Sequence, residues 1–267
     1  MRITSPANER LKHARRVREG REEGVIFVEG ERLAEECLGA GLGLVAGFHL
    51  PAPGARAGAI VEELARRGCP RFVLSEAVMA KLADTVHSQG IVVLAEAPRR
   101  SLDEIFAPRG AEAPLVVCLE AVQDPGNLGT ILRTAEAAGA TGVVATRGSA
   151  DLFAPKTLRS AMGSAFRLPA SSGIPAEEAA ARARAAGLQI VATAADGECL
   201  YTEFDWRRPA LVVFGNEARG VSDGLLERAD VRLRIPLRPP VESLNVAASA
   251  AAILFEAARQ RAKEGGA

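Results

Sequence analysis

Polar residues that could do chemistry gather at three places in the second half of the sequence. The first is the segment 124–140, which opens with Gly126 and Gly129 and continues into a predicted helix. A glycine-rich turn before a helix is typical of a phosphate or dinucleotide site. The segment lacks both the Gly-Lys-Ser/Thr ending of a P-loop and the three spaced glycines of a dinucleotide fingerprint. This turn therefore needs another interpretation.

Two residues of the segment could address a ligand, and each also has a simpler interpretation. Arg133 lies roughly 100° or more around the predicted helix from its apolar stripe, so it points away from the core. It could be an ordinary solvated arginine. Asn127 stands at the start of the helix, where an asparagine is often only an N-cap. Taken one by one, these residues do not specify a function.

The second place is the segment 212–222, in which a buried strand is followed by Gly215, Glu217 and Gly220. Glycines at such a junction permit positive φ or the close approach of a ligand to the backbone. Glu217 could equally be a surface carboxylate in a turn.

The third place is the segment 235–252, where the two prolines Pro239 and Pro240 stiffen the entry to the last helix. Ser243 or Asn245 could cap that helix. A cap needs only one polar residue, whereas Glu242, Ser243 and Asn245 stand together.

Composition places these segments in an ordinary soluble globular protein. The chain has 267 residues, of which 48% are hydrophobic and 25% charged, with a formal net charge of zero. This length suits one large domain or, as we expect, two smaller ones. A nucleic-acid surface would have to come from local asymmetry, such as the basic excess in the first 25 residues, which predicts a mildly basic N-terminal helix.

The sequence predicts neither a metal site nor a membrane segment. The cysteines and histidines are scattered without a C-x-x-C pair, which disfavours zinc. Cys118 lies in an apolar run and is expected to be a buried, inert thiol. No apolar run approaches the roughly 20 residues that span a bilayer, and the N-terminus lacks a signal-peptide core. We therefore expect a cytoplasmic protein in a reducing compartment.

Alternating strands and helices predict an α/β fold in two domains. The segment 98–113, rich in proline, arginine and alanine, is interpreted as a linker between domains 1–97 and 114–267. Before it, strands are predicted at 25–29, 44–50, 71–74 and 90–95, with helices at 7–19, 32–40, 59–67 and 76–83. After it, strands at 115–119, 142–145, 189–192, 210–214 and 231–235 have the apolar character of a parallel sheet. Helices are predicted at 127–138, 155–161, 176–186, 223–229 and 244–261. The last is alanine-rich on every side, which favours burial nearly all round, against the sheet and a second subunit.

The order of the three segments identifies a family resemblance. Asp-Pro-Gly-Asn-Leu-Gly-x-Ile-x-Arg-Thr-Ala, then Phe-Gly-Asn-Glu-x-x-Gly, then Ile-Pro-x-x-x-x-x-Glu-Ser-Leu-Asn-Val-Ala resemble the three signature motifs of the SpoU family of RNA ribose 2′-O-methyltransferases. This family belongs to the SPOUT class, in which the C-terminal part of the domain threads a loop to form a deep trefoil knot. The segments 3–8 and 27–32 resemble the substrate-binding domain that precedes the knot in many members, akin to a kink-turn-binding ribosomal protein.

The resemblance implies an activity and a set of site residues. The enzyme would transfer the methyl group of S-adenosylmethionine to a ribose 2′-hydroxyl, which distinguishes RNA from DNA. The family's functional positions correspond to Asn127, Arg133, Glu217, Ser243 and Asn245. Backbone groups that bind the cofactor correspond to Gly215, Ile235 and Leu244, with Thr193 as a further candidate. Arg133 is assigned to phosphate and ribose positioning because a guanidinium hardly ever loses its proton. The general base stays open.

The resemblance also implies partners. We expect RNA as substrate, with rRNA favoured over tRNA, and a homodimer through the C-terminal domain in which Arg133 acts on a ribose bound mainly by the other subunit. No metal is required. Two alternatives remain: a Rossmann-type nucleotide-binding enzyme, disfavoured by the glycine spacing, and a non-catalytic RNA-binding protein that retains the fold.

Overall fold

The computed structural model describes residues 1–108 and 113–262. The chain divides into two compact units: unit 1 comprises Met1–Pro98 with Phe153–Arg167, and unit 2 comprises Arg99–Leu152 with Leu168–Ala267. The predicted domain limits remain a prediction. The units differ from those limits in two places: residues 153–167 pack with unit 1, and the proposed linker from Arg99 onward is counted with unit 2.

Unit 1 is built on a five-stranded mixed sheet. Its elements are β1 (Arg2–Ile3), α1 (Glu9–Arg18), β2 (Val25–Glu29), α2 (Glu31–Gly39), β3 (Leu44–His49), α3 (Ala55–Arg66), β4 (Arg71–Leu74), α4 (Glu76–Leu82), β5 (Ile91–Glu96), α7 (Pro155–Ala161) and α8 (Ser164–Arg167). The strand order is β1-β4-β3-β5-β2. Strand β5 is antiparallel to both of its neighbours, and the other pairs are parallel.

Helix α7 belongs to unit 1 because it packs against β2. Its Leu158 and Ala161 are fully buried. Arg159 pairs with Asp84 at 2.7 Å, near the start of the loop that follows α4.

Two of the arginines that make α1 basic form hydrogen bonds within unit 1. Arg18 donates to the carbonyl oxygens of Leu82 and Ala83 at 2.9 and 2.8 Å. Arg15 donates to the carbonyl oxygen of Leu11 at 3.2 Å and to that of Pro6. Arg15 and Arg18, two of the cations behind the prediction of a basic helix, therefore tie α1 to the segments around Pro6 and Leu82.

Unit 2 is built on a seven-stranded, fully parallel sheet. Its elements are α5 (Leu102–Phe106), β6 (Leu115–Leu119), α6 (Pro125–Ala137), β7 (Gly142–Thr146), β8 (Ala170–Ile174), α9 (Ala176–Ala185), β9 (Gln189–Thr193), β10 (Cys199–Leu200), β11 (Ala210–Phe214), α10 (Asp223–Leu226), β12 (Val231–Arg234) and α11 (Val246–Ala262). The strand order is β10-β12-β9-β11-β6-β7-β8. Strands β6, β7 and β11 are buried at every position, as continuous apolar runs in a parallel sheet require.

The burial of β6 confirms the prediction for Cys118. This residue is 1% exposed, and burial raises the pKa of its thiol to about 12. A thiol that stays protonated at neutral pH is a poor nucleophile.

Three elements of unit 2, namely α5, β8 and β10, were not predicted from the sequence. The proposed linker contains α5, which begins with a capping box formed by Ser101 and Glu104. Ile105 and Phe106 of α5 are buried in the core of unit 2, so this part of the segment is structural. Strand β8 was not predicted, because its sequence ASSGI lacks the apolar run of a central strand. Residues 109–112 of the proposed linker lie outside the described residues.

Helix α11 is buried along one side in the single chain. Ala250, Ile253, Leu254 and Ala257 are buried, and the helix packs against α6. Phe255 is 52% exposed on another side. The single chain therefore leaves part of α11 exposed, and the expected burial of that part against a second subunit stays a prediction.

Candidate functional site

A cavity of about 720 Å³ opens at the carboxyl ends of the parallel strands of unit 2. Residues that follow β9, β11 and β12 contribute to its wall, together with the loop that leads into α11. This end of an open parallel sheet is the usual place for a ligand, because the loops that leave neighbouring strands meet there. The volume is in the range of small-molecule sites.

The cavity brings together all four predicted cofactor residues. Thr193, Gly215, Ile235 and Leu244 line its wall. The Thr193 hydroxyl donates to the carbonyl oxygen of Val213 at 2.9 Å, so this side chain also ties β9 to β11. The apolar part of the wall was not predicted from the sequence and comprises residues such as Phe214, Leu226, Leu233 and Ile253.

The loop that follows β11 folds back tightly on itself. Asn216 and Gly220 exchange backbone hydrogen bonds of 3.0 and 2.9 Å. A Cβ atom on Gly215 would lie 2.1 Å from the backbone carbon of Gly220, which no packed structure tolerates. Gly220 has φ of 71°, a conformation that favours glycine. Both glycines of the second motif thus have structural reasons.

A chain of hydrogen bonds joins the three motifs. Asn127 donates from Nδ2 to Glu217 Oε1 at 3.1 Å, and Asn245 donates from Nδ2 to Asn127 Oδ1 at 3.0 Å. Glu217 and Asn245 line the cavity, while Asn127 links them. Ser243 also lines the cavity. The structure therefore brings four of the five predicted catalytic residues to one edge of the cavity.

Glu217 is a hydrogen-bond acceptor for the first motif. Besides the Asn127 amide, it accepts the backbone N–H groups of Gln123 at 3.1 Å and Asp124 at 3.0 Å. Partial burial raises the pKa of the Glu217 carboxyl, but the bonds from Asp124, Asn127 and Gln123 lower it, and the net pKa is below its ordinary value of 4.5. The side chain is therefore ionised at neutral pH.

The two asparagines have different relations to their helices. Asp124, and not Asn127, is the N-cap of α6, since its side chain accepts the Asn127 N–H at 2.8 Å. Asn245 does cap α11: its Oδ1 accepts the N–H groups of Ala247 at 2.9 Å and Ala248 at 3.3 Å. Its amide nitrogen remains available for Asn127. Asn245 is thus a helix cap that also bonds to the first motif, and its catalytic role stays a prediction.

Arg133 stands apart from this cluster. It is exposed on α6 and is absent from the cavity wall. Its guanidinium forms no hydrogen bond or ion pair with any residue that the structure describes. A charged group that is neither paired nor buried is free to meet a ligand from outside the chain.

Sequence reasoning missed one buried carboxylate next to the cavity. Glu120 follows β6, is 8% exposed, and accepts hydrogen bonds from Ser222. The signal was an acidic residue directly after an apolar strand.

The described residues contain neither a candidate metal cluster nor a candidate membrane-spanning helix. No group of three or more His, Cys, Asp or Glu side chains within residues 1–108 and 113–262 could hold a metal ion. In the same ranges, no helix has the length and apolar character needed to cross a membrane.

The parallel sheet, the cavity at its carboxyl edge and the loops that line it define a cofactor-binding α/β domain. A family model described as the SpoU rRNA Methylase family matches residues 114–255, and the chain belongs to this family.

Similar proteins cover nearly the whole chain. An uncharacterized tRNA/rRNA methyltransferase of Synechocystis is 35% identical over 97% of this chain and 94% of its own length. The 23S rRNA (guanosine(2553)-2′-O)-methyltransferase RlmP of Bacillus subtilis is 33% identical over 95% of this chain and 97% of its own. The crystal structure of the SpoU methyltransferase AviRb from Streptomyces viridochromogenes in complex with AdoMet has a TM-score of 0.85 at 30% identity, covering 96% of this chain and 98% of that one.

Proposed function

We propose that this protein transfers the methyl group of S-adenosylmethionine to a ribose 2′-hydroxyl of RNA, with 23S rRNA as the substrate. The observation that carries the proposal is the convergence of the three family motifs on one cavity, joined by the hydrogen bonds from Asn245 to Asn127 and from Asn127 to Glu217. The Bacillus subtilis relative, a 23S rRNA 2′-O-methyltransferase by name, supports the choice of substrate.

The cavity suits S-adenosylmethionine in size and chemistry. Its wall combines apolar side chains, such as Leu233 and Ile253, with backbone groups at Gly215, Ile235 and Leu244. Apolar surfaces flanked by a few fixed polar groups are typical of cofactor sites. These residues would hold the cofactor, which supplies an activated methyl group. The AdoMet complex of the Streptomyces viridochromogenes neighbour supports this assignment.

The protein's own residues position the reacting groups. Glu217 is a poor proton acceptor at neutral pH because its pKa is lowered and its oxygens accept three hydrogen bonds. We therefore assign it to holding Asn127 and the α6 turn rather than to removing the ribose proton. Arg133, exposed and unpaired among the described residues, is assigned to the phosphate next to the target ribose.

Unit 1 is proposed to bind the substrate RNA, in the manner of the substrate-binding domain that its sequence resembles. Phosphate contacts by arginine and lysine make such binding weaken as salt rises. The expected result is a linear fall of the logarithm of RNA affinity with the logarithm of salt concentration in the full chain. Affinity independent of salt would contradict this part of the proposal.

We further propose that the C-terminal part of unit 2 forms a trefoil knot and that two copies associate through this unit. The exposed Phe255 on α11 and the exposed Leu244 at the cavity rim support an apolar contact between copies. Deep knots are rare in proteins in general, and the proposal for one rests on membership of the SpoU family.

The direct test uses methyl-labelled S-adenosylmethionine and separated 23S rRNA, 16S rRNA and tRNA. Labelled RNA is digested to nucleosides, which are identified by mass spectrometry. We expect label in 23S rRNA, on a 2′-O-methylated nucleoside. Label confined to tRNA would contradict the proposal that 23S rRNA is the substrate. Label on a base would contradict the proposal that the ribose 2′-hydroxyl is the acceptor.

A further inference from the structure

The loop 215–222, which carries the second motif, is held against the turn that leaves β6. Asn216 donates from Nδ2 to the carbonyl oxygen of Ala121 at 2.8 Å, and Glu217 accepts two backbone N–H groups of the same turn. This loop forms much of the cavity wall. The turn after β6 therefore determines where the wall lies.

Ala121 shows that the turn is itself held in an unusual conformation. Its φ is 52°, in the left-handed region that costs a residue with a Cβ atom about 1 kcal/mol or more. Its N–H donates to the Thr146 hydroxyl at 3.1 Å, and its carbonyl accepts from Asn216. A strained residue persists only where its surroundings fix it.

Glu120, beside this residue, fixes the far end of the loop. One carboxylate oxygen accepts the Ser222 N–H at 2.8 Å, and the other accepts the Ser222 hydroxyl at 2.5 Å. Glu120 is 8% exposed. A carboxylate so buried is costly unless its hydrogen bonds are formed, so the pair strongly favours one position of Ser222. Ser222 also caps α10, which begins there.

We infer that Glu120 is a positioning residue for the cofactor: through Ser222 it holds the loop 215–222 in the conformation that binds S-adenosylmethionine. This inference rests on the proposed function for the identity of the ligand. Glu120 is absent from the cavity wall, so it acts through the loop and not by contact. Its loss should weaken cofactor binding more than it slows the chemical step at saturation.

The test compares Glu120→Ala and Glu120→Gln with Thr141→Ala in the full chain. Thr141 is a control in the same unit because it is 2% exposed and bonds to the opposite end of β6. Its hydroxyl accepts the Leu115 N–H and donates to the Leu115 carbonyl oxygen, and each of these two bonds is 3.2 Å long. Glutamine can still accept the Ser222 N–H and donate to its hydroxyl. Calorimetry gives the Kd for S-adenosylmethionine. Hydrogen exchange, in the absence of ligand, gives the exchange rates of the backbone amides of residues 215–222.

Glu120→Ala is expected to raise the Kd and the KM for S-adenosylmethionine about tenfold, as expected for lost hydrogen bonds to a charged group, with kcat within about threefold. The same variant should speed amide exchange in the loop. Glu120→Gln should restore the Kd to within about threefold of wild type, and Thr141→Ala should leave both readouts unchanged. A Kd for Glu120→Ala within about twofold of wild type, or an equal rise in Thr141→Ala, would overturn the inference. If the wild type fails to bind S-adenosylmethionine, the proposed function fails instead, and hydrogen exchange still decides whether Glu120 holds the loop.

Discussion

Substitution of Glu217 by glutamine tests how the motifs are joined. The change keeps the size of the side chain but removes its charge and one acceptor oxygen, while its three donors, the Gln123 and Asp124 N–H groups and the Asn127 amide, remain. A buried hydrogen bond to a charged group contributes about 1.5–3 kcal/mol, but Glu217 is exposed, so water replaces part of the loss. We expect the variant to be destabilised by about 1–2 kcal/mol in total.

The same free energy sets the expected loss of activity. If the lost bonds position Asn127 in the transition state, kcat/KM for RNA falls about 5- to 30-fold, since about 1.4 kcal/mol corresponds to tenfold. The matched control is Glu227→Gln in the same unit, because Glu227 is exposed and its carboxylate has no hydrogen bond to a described residue. Steady-state methyl transfer and thermal unfolding measure the two effects.

The stability difference between wild type and Glu217→Gln should depend on pH. The folded pKa of Glu217 lies below its ordinary value of 4.5, so its contribution to stability is complete above about pH 4.5 and is lost as pH falls through the folded pKa. A Glu217→Gln variant with wild-type activity and stability, or a stability difference that grows on acidification, would refute this reasoning.

Three further substitutions, one of them with a matched control, have distinct expected outcomes. Arg133→Ala should abolish methyl transfer while the Kd for S-adenosylmethionine stays within about threefold of wild type, because Arg133 lies outside the cavity wall; turnover at the wild-type rate would contradict its role. Gly215→Ala should raise that Kd, measured by calorimetry, more than about tenfold, since its Cβ would collide with Gly220. The control Gly58→Ala lies in α3, where nothing is within 4 Å of the added Cβ, and it should stabilise the protein in thermal unfolding by about 0.5–1 kcal/mol. Equal effects of the two substitutions on the Kd and on stability would contradict this prediction. Phe255→Ser should lower the mass in light scattering from that of the proposed dimer to that of a monomer, and an unchanged mass at equal concentration would contradict a contact through α11.

The sequence predicted most of the regular structure, because its signals were local. The limits of β2, β4, β6 and β11 agree with the structure residue for residue, since each is an apolar run between turn signals. Strand β8 was missed because ASSGI has no such run, although its backbone pairs with β7. Helix α5 was hidden by prolines and arginines that suggested a linker, while its capping box was the available local signal.

The site was predicted only as far as its motifs could be matched to a family. Residue types indicated that Asn127, Glu217 and Asn245 were candidates, but each also had a simpler interpretation. Their mutual hydrogen bonds depend on the sheet order, which places β6 beside β11 although about ninety residues separate them along the chain. Glu120 was missed for the same reason, because its partner Ser222 is distant in sequence.

The measurement that tests the central claim most directly compares two synthetic RNAs that contain the mapped target site. One carries the ordinary ribose at the target nucleotide, and the other carries a 2′-deoxyribose there. With labelled S-adenosylmethionine and the full chain, the first RNA should acquire one methyl group and the second none, because the 2′-hydroxyl is the proposed acceptor. Equal labelling of the two RNAs would contradict the account.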